Sequence, residues 1–286
     1  MTWKTIGFEN LKSFFEKMAN ADLFNHAYLF SGPAMIGKKT FALEIVSRSF
    51  MNQNLTGHNP DLIYLDPADS ENEQSIGITE IRKVKSFLSL SPLVGKYKFV
   101  IINDAHLMTE EAQNALLKIL EEPSQSSVLI LVTSNSNLLL PTVISRCQEI
   151  KFSSHSKLVV ADVINVSKLD TNHQKLIVEL SSGRIGLAMN ILAENSFEEV
   201  KKAIENLAYL ARSDIEEKFA FAQKMSDDKN RSSFKKQVLY WMLYARTRLN
   251  EPKASKILKG LLILNQTINQ SQYNFRLALE NFLINI

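Results

Sequence analysis

The sequence predicts an α/β fold: a five-stranded parallel sheet with flanking helices, followed by a part that is helical throughout. Three observations predict it. AYLFS (27–31) is a short apolar run ending at Gly32, and the residues after Lys38 carry a helical stripe, so strand, glycine turn and helix follow one another. Strand-like and helix-like patterns then alternate as far as residue 152, which crossover connections between parallel strands require. Beyond residue 153 the strand pattern disappears.

Each element has its own signal. TFALEIVSRSF (40–50) places Ala42, Ile45, Val46 and Phe50 on one helical face. DLIYLDP (61–67) reads as a buried strand stopped by Pro67, and ITEIRKVKSFLSL (78–90) as a helix with a stripe of Ile78, Ile81, the Lys85 stem and Leu88. KFVIIND (98–104) is the third strand. Thr109 is a helix cap, with Glu110 and Glu111 in the first turn, where the helix dipole favours them, and Pro123 ends that helix. VLILVTS (128–134) and QEIKF (148–152) complete the sheet. Three short helices are expected over 157–194 and a longer helical run from about 198 onward, broken once at EPKAS (251–255).

Composition excludes several classes. The chain has 286 residues, 45% apolar and 22% charged, enough for two or three compact units. A net charge of +3 is too small to mark a nucleic-acid binder by itself. The single cysteine, Cys147, rules out an intramolecular disulfide and a zinc site of several thiolates. The N-terminus lacks the apolar core of a secretory signal, and no apolar run approaches the ~18 residues that span a bilayer. A cytoplasmic protein without membrane association is the expectation.

Two motifs carry chemistry. GPAMIGKKT (32–40) meets the phosphate-loop pattern G-x-x-x-x-G-K-[ST] at Gly32, Gly37 and Lys38. Lys39 stands where the pattern has a hydroxyl, which arrives one residue late at Thr40. In nucleotide hydrolases of this kind a strand also ends in two carboxylates, one on the Mg²⁺ side and one beside the attacking water. IINDAH (101–106) offers Asn103 and Asp104 there; an amide supplies no negative charge, and Asp is one methylene shorter than Glu. The alternative for Asp104 is a turn cap.

HAYLFSGPAMIGKKT, GHNPDLIYL, FVIINDAHLMTEEAQNALLKILEEPSQSSVLILVTSN and LLLPTVISRCQEIKF, in that order, resemble the bacterial clamp-loader AAA+ subunits. Within them the similarity is greatest to the delta-prime type of DNA polymerase III. It is dense over 24–152, weaker through SSGRIGLAMNIL (181–192), and touches NFRLALENFLINI at the C-terminus. The resemblance implies an AAA+-like P-loop domain over 1–153, a small helical lid domain over 154–197 and an all-α collar domain over 198–286 that drives assembly. It implies a non-hydrolysing subunit of a hetero-pentameric ring with gamma/tau and delta subunits, which loads a sliding clamp onto primer-template DNA within the DNA polymerase III holoenzyme.

The resemblance also assigns residues. Arg146 of ISRC becomes an arginine finger supplied in trans to a neighbour's γ-phosphate; without the family it reads as a surface arginine at a strand entrance. Gly32, Gly37, Lys38, Lys39, Thr40, Asn103, Asp104 and Thr133, with Ser134 and the lid's Arg184, form a degenerate nucleotide site that tolerates weak ATP or ADP binding without turnover. Arg184 either touches nucleotide or pairs with an acid. Arg82, Lys83 and Lys85 either touch DNA phosphates or form a solvated helix face. Relatives carry a four-cysteine zinc module near residues 50–57, where this chain has only FMNQNLTG, so no zinc and no required cofactor are expected. From 208 to 286 thirteen Lys/Arg face seven Asp/Glu, and Tyr240, Trp241 and Tyr244 share a helix, which fits an assembly collar. The alternatives are an active gamma/tau-like ATPase and a stand-alone P-loop NTPase.

Overall fold

The computed structural model describes residues 3–50, 59–67, 75–165, 170–193, 196–268 and 274–286. The chain divides into two compact units, Met1–His155 and Ser156–Ile286. In the first, α1 (Glu9–Ala21), β1 (Ala27–Ser31), α2 (Lys38–Ser49), β2 (Leu62–Leu65), α3 (Ile78–Leu88), β3 (Lys98–Ile102), α4 (Glu110–Glu121), β4 (Ser127–Thr133), α5 (Pro141–Ile144) and β5 (Gln148–Lys151) follow in order.

The five strands form one parallel sheet in the order β2-β3-β4-β1-β5, with β1 between β4 and β5. Period-two alternation along each strand divides the side chains between two cores. Leu29, Val100, Ile102, Leu129 and Leu131 face the helices α3, α4 and α5. Tyr28, Phe30, Phe99, Ile101, Val128 and Ile130 face α1 and α2, where Phe15, Phe41 and Phe152 interlock edge to face. Burial on both faces is why β1, β3 and β4 read as unbroken apolar runs.

β5, at one edge, buries only Ile150, and β2 is the second exception to that burial. It was expected to be a buried strand, and the sheet places it at an edge, where all four residues are half-buried. The α3 stripe also differs: Ile81, Val84 and Leu88 are buried, and Lys85 is exposed. The core face centres on Val84, with Ile81 and Leu88 beside it, and Lys85 stands at its rim, one residue and about 100° of turn from Val84.

The second unit is helical: α6 (Lys157–Ile164), α7 (Thr171–Ser181), α8 (Ile185–Leu192), α9 (Ser196–Leu210), α10 (Ile215–Ser226), α11 (Asp228–Thr247), α12 (Pro252–Ile268) and α13 (Phe275–Ile284). The long C-terminal run breaks more often than the single interruption expected. Asp214 caps α10 by accepting the Glu217 N–H at 2.9 Å, a stop-and-start signal of the ordinary kind. Two hydrophobic clusters fill the unit, one from α6 to α9 that includes Leu243 of α11, the other from α9 to α13. The expected boundary at 197/198 falls inside α9, and a cut there would strip Val200 and Leu243 from the first cluster. Trp241 is fully buried and donates its indole N–H to the Ala203 carbonyl at 2.6 Å, while Tyr240 and Tyr244 pack against both clusters.

One carboxylate organises the connection from α3 to β3. Asp61 is fully buried and accepts the backbone N–H groups of Leu93, Val94 and Gly95 at 2.7–3.0 Å. The Lys98 ammonium, equally buried, lies 3.4 Å away and covers the Phe87 ring. Burial alone would raise the Asp61 carboxyl, but the three N–H donors and Lys98 outweigh it and hold it below its usual range. Asp61→Ala should therefore cost about 3–5 kcal/mol in urea unfolding, because Lys98 would remain buried without a partner. Asp61's contribution should be complete above about pH 4 and vanish as pH falls through the depressed value. A loss under about 1 kcal/mol at pH 7 would contradict this role.

Candidate functional site

The loop after β1 is built by backbone constraint. Gly32 has φ 137°, and a Cβ there would stand 2.1 Å from the Phe152 carbonyl oxygen, so only glycine fits between β1 and β5. Gly37, at φ 102°, opens α2, and no side chain caps the helix. Lys38 is the first helical residue and 5% exposed; its ammonium donates to the carbonyls of Gly32 at 2.7 Å and Pro33 at 2.5 Å. Burial pulls the Lys38 ammonium down to about 8, with Asp104 opposing that shift. Upstream, Trp3 stacks on Phe41 of α2, and Glu44 accepts the Thr5 N–H at 2.9 Å, which fastens the N-terminal segment beside Gly37.

Across the carboxyl ends of the strands, Lys39, Asn103 and Asp104 come together around a residue that sequence reasoning missed. Asp66, just beyond β2, accepts on one oxygen from Lys39 Nζ (3.0 Å), Tyr64 Oη (2.5 Å) and Asn103 Nδ2 (3.1 Å). Asn103 is 8% exposed and donates also to Asp104 Oδ2 at 3.1 Å, so two carboxylates fix the orientation of its amide. Asp104 sits in the left-handed region at φ 44° and starts a short turn at Ala105–Leu107. Thr40 is exposed on the first turn of α2.

Magnesium requires hard oxygen ligands in near-octahedral array. Here an ammonium and an amide N–H occupy the positions of the hydroxyl and the metal-side carboxylate, and both donate to Asp66. These residues do not fit the metal. Among the described residues no group of three or more His, Cys, Asp or Glu is placed to hold one. The zinc-module position, residues 50–57, lies outside the described residues from 51 onward.

Thr133 ends β4 fully buried; its hydroxyl accepts the Asn135 N–H at 3.1 Å and meets His106 Nδ1 at 3.3 Å. His106 was not singled out in the sequence. Burial holds its imidazole below the ordinary value, Asp104 opposes this and Lys38 reinforces it. Ser134 is exposed.

α4 shapes a separate edge. Gln113, buried, donates to the carbonyls of Met108 and Leu138 at 3.2 Å and accepts the Leu140 N–H at 2.7 Å, which sets the entry to α5. Past α5, the Arg146 guanidinium pairs with Glu121 at the end of α4 at 2.8 Å and donates to the Thr142 carbonyl at 3.1 Å. Its side chain is 37% exposed. Cys147 beside it packs on the core, and burial pushes its thiol up to about 12, which removes it as a nucleophile.

The remaining expected residues lie elsewhere. Arg82, Lys83 and Lys85 are exposed on the outer face of α3, where Arg82 and Lys85 line a groove with Lys118 of α4. Arg184, in the second unit, precedes α8; its Nε donates to the Ser181 carbonyl at 3.1 Å and its Nη2 is buried without a hydrogen-bond partner. Burial lowers its guanidinium, with Arg246 adding to the effect, and no acid among the described residues pairs with it.

A five-stranded parallel sheet with β1 between β4 and β5, and a glycine loop closing on a buried lysine at its carboxyl edge, defines a P-loop domain of the AAA+ type. A gamma-subunit-related protein of DNA polymerase III from Thermotoga maritima has the same fold, with a TM-score of 0.58 at 21% identity over 94% of this chain and 97% of that one. The chain belongs to the family described as "DNA polymerase III, delta subunit", which matches residues 7–156. It is 34% identical to subunit delta' of Pseudomonas aeruginosa over 137 residues, 43% of this chain and 41% of that protein. It is 27% identical to subunit delta' of Bacillus subtilis over 201 residues, 65% and 59% of the two chains. It is also 30% identical to subunit tau of Bacillus subtilis over 176 residues, 56% of this chain and 30% of that one. The matches thus span between 30% and 59% of these relatives' lengths. Among the described residues no helix is long and apolar enough to cross a membrane.

The buried ammonium gives a direct check. A ¹³Cε NMR titration should show Lys38 losing its proton with a midpoint at about 8. A midpoint near the ~10.4 of a free lysine would mean that the ammonium is solvated rather than clamped on the loop carbonyls.

Proposed function

We propose that the chain is a delta-prime-type clamp-loader subunit that does not hydrolyse ATP and supplies Arg146 to a neighbouring subunit's nucleotide. One observation carries this reading: Lys39 and Asn103 both donate to Asp66 at the two positions where a hydrolysing P-loop protein supports its metal. Gly32, Gly37 and Lys38 retain the capacity to cradle phosphate through backbone N–H groups and charge. The similarity to a tau subunit favours the second reading, an active motor of the same ring. The donor groups at both metal positions oppose it.

Arg146 supports the finger role by its setting. It stands 37% exposed and bonded to Glu121, so a neighbour's phosphate needs only to replace one carboxylate as its partner. The proposed partners are gamma/tau and delta subunits, a sliding clamp and primer-template DNA, with Arg82, Lys83 and Lys85 as candidate phosphate contacts.

The test is a ring reconstituted with this chain carrying Arg146→Ala. Fingers are worth about 10³–10⁵ in rate where they act fully. Only one of several ATP sites would lose its finger, so total ATPase should fall in part and DNA-stimulated clamp loading should fall further. The monomer's melting temperature and the assembly should be unchanged. Arg146→Lys should rescue poorly, since a point charge lacks the planar fork. Normal loading by a verified complex carrying Arg146→Ala would remove the assignment.

A further inference from the structure

The substitutions at the metal position form a positive construction and not merely a loss. Lys39 pairs with Asp66, Asn103 bridges Asp66 and Asp104, and the Asp104 charge acts on the Lys38 ammonium. Charge is therefore balanced by the chain's own side chains. The Asp66 oxygen that faces Lys39 already accepts three donors, which leaves it a poor ligand for a hard cation. Lys39 is also held from a second side, with its ammonium 4.9 Å from the centre of the Tyr64 ring.

We propose that the Lys39 ammonium is a built-in replacement for the divalent cation, so that this loop takes a nucleoside di- or triphosphate as the free, metal-less anion. An ammonium has three donors; one meets Asp66 while the Tyr64 ring covers another side, which leaves donor capacity for a phosphate oxygen. Tyr64 and, against the effect of burial, Asp66 hold the Lys39 ammonium above its usual range, so it stays charged at neutral pH. A magnesium-bearing nucleotide would bring its cation against this ammonium and arrive with its own charge partly neutralised, and both effects weaken attraction. The inference rests on the non-hydrolysing reading of this site and on nothing about the ring.

Calorimetric titration of the full chain with ADP, in EDTA and in excess Mg²⁺, tests it. Binding should be no tighter with Mg²⁺ than with EDTA. Lys39→Met should weaken binding in EDTA by about tenfold, the loss of one charge-assisted contact. Lys39→Thr combined with Asn103→Asp should reverse the preference, so that Mg²⁺ tightens binding. Lys39 is half-exposed, and an unchanged melting curve for each variant shows that the fold survives. Tighter binding by the wild-type chain in Mg²⁺, no binding in EDTA, or a double variant still indifferent to Mg²⁺ would each overturn the proposal. ATP turnover by the wild-type chain would instead overturn the non-hydrolysing reading; a silent chain that binds only with Mg²⁺ would sink this inference alone.

Discussion

Asp66 carries its charge at the open end of an edge strand, and donors from three elements meet on one of its oxygens. Lys39 comes from the first turn of α2, Tyr64 from β2 and Asn103 from the end of β3. Such convergence is available only because parallel strands deliver all their carboxyl ends to one edge of the sheet. The node sets the chemistry around it. With the ammonium of Lys39 engaged there and the amide of Asn103 turned the same way, the neighbourhood is rich in donors where a hydrolysing site needs acceptors. Lys38, one residue earlier, closes on the loop's own carbonyls, bonds that an incoming phosphate would have to replace.

The two roles proposed for the chain fall at separate places in one domain. The loop edge carries donors at the positions of a metal's supports, whereas Arg146, past α5, pairs with Glu121 at the end of α4. Gln113 and Glu121 lie on the same helix, eight residues apart in sequence; one sets the backbone entering α5 and the other pairs with Arg146 beyond it. The proposed finger role needs this kind of support. A guanidinium on an unrestrained turn would lose much of its advantage to side-chain entropy.

Much of the fold was legible because the central strands β1, β3 and β4 are buried on both faces and therefore show as apolar runs. The Thr109 cap was legible because its hydroxyl acts locally, on the Ala112 N–H three residues away. The phosphate-loop residues and Asn103 were legible from spacing. Asp66, Tyr64, His106 and Asp61 were not, since each acts on partners distant in sequence: Asp66 on Lys39 and Asn103, Asp61 on Leu93 to Gly95 and Lys98. The DLIYLDP stretch holds three of them and reads in isolation as a strand with a turn. The breaks in the C-terminal helices were missed for a different reason. Asp214 and Asn274 are short capping signals inside a strongly helical composition, and composition dominated the expectation.

Steady-state ATP turnover by the pure, isolated chain with Mg²⁺ decides whether this P-loop is silent. A rate at background, unchanged by Lys38→Ala, is expected. A rate on the order of 1 s⁻¹, ordinary for a competent enzyme, that Lys38→Ala abolishes would contradict it.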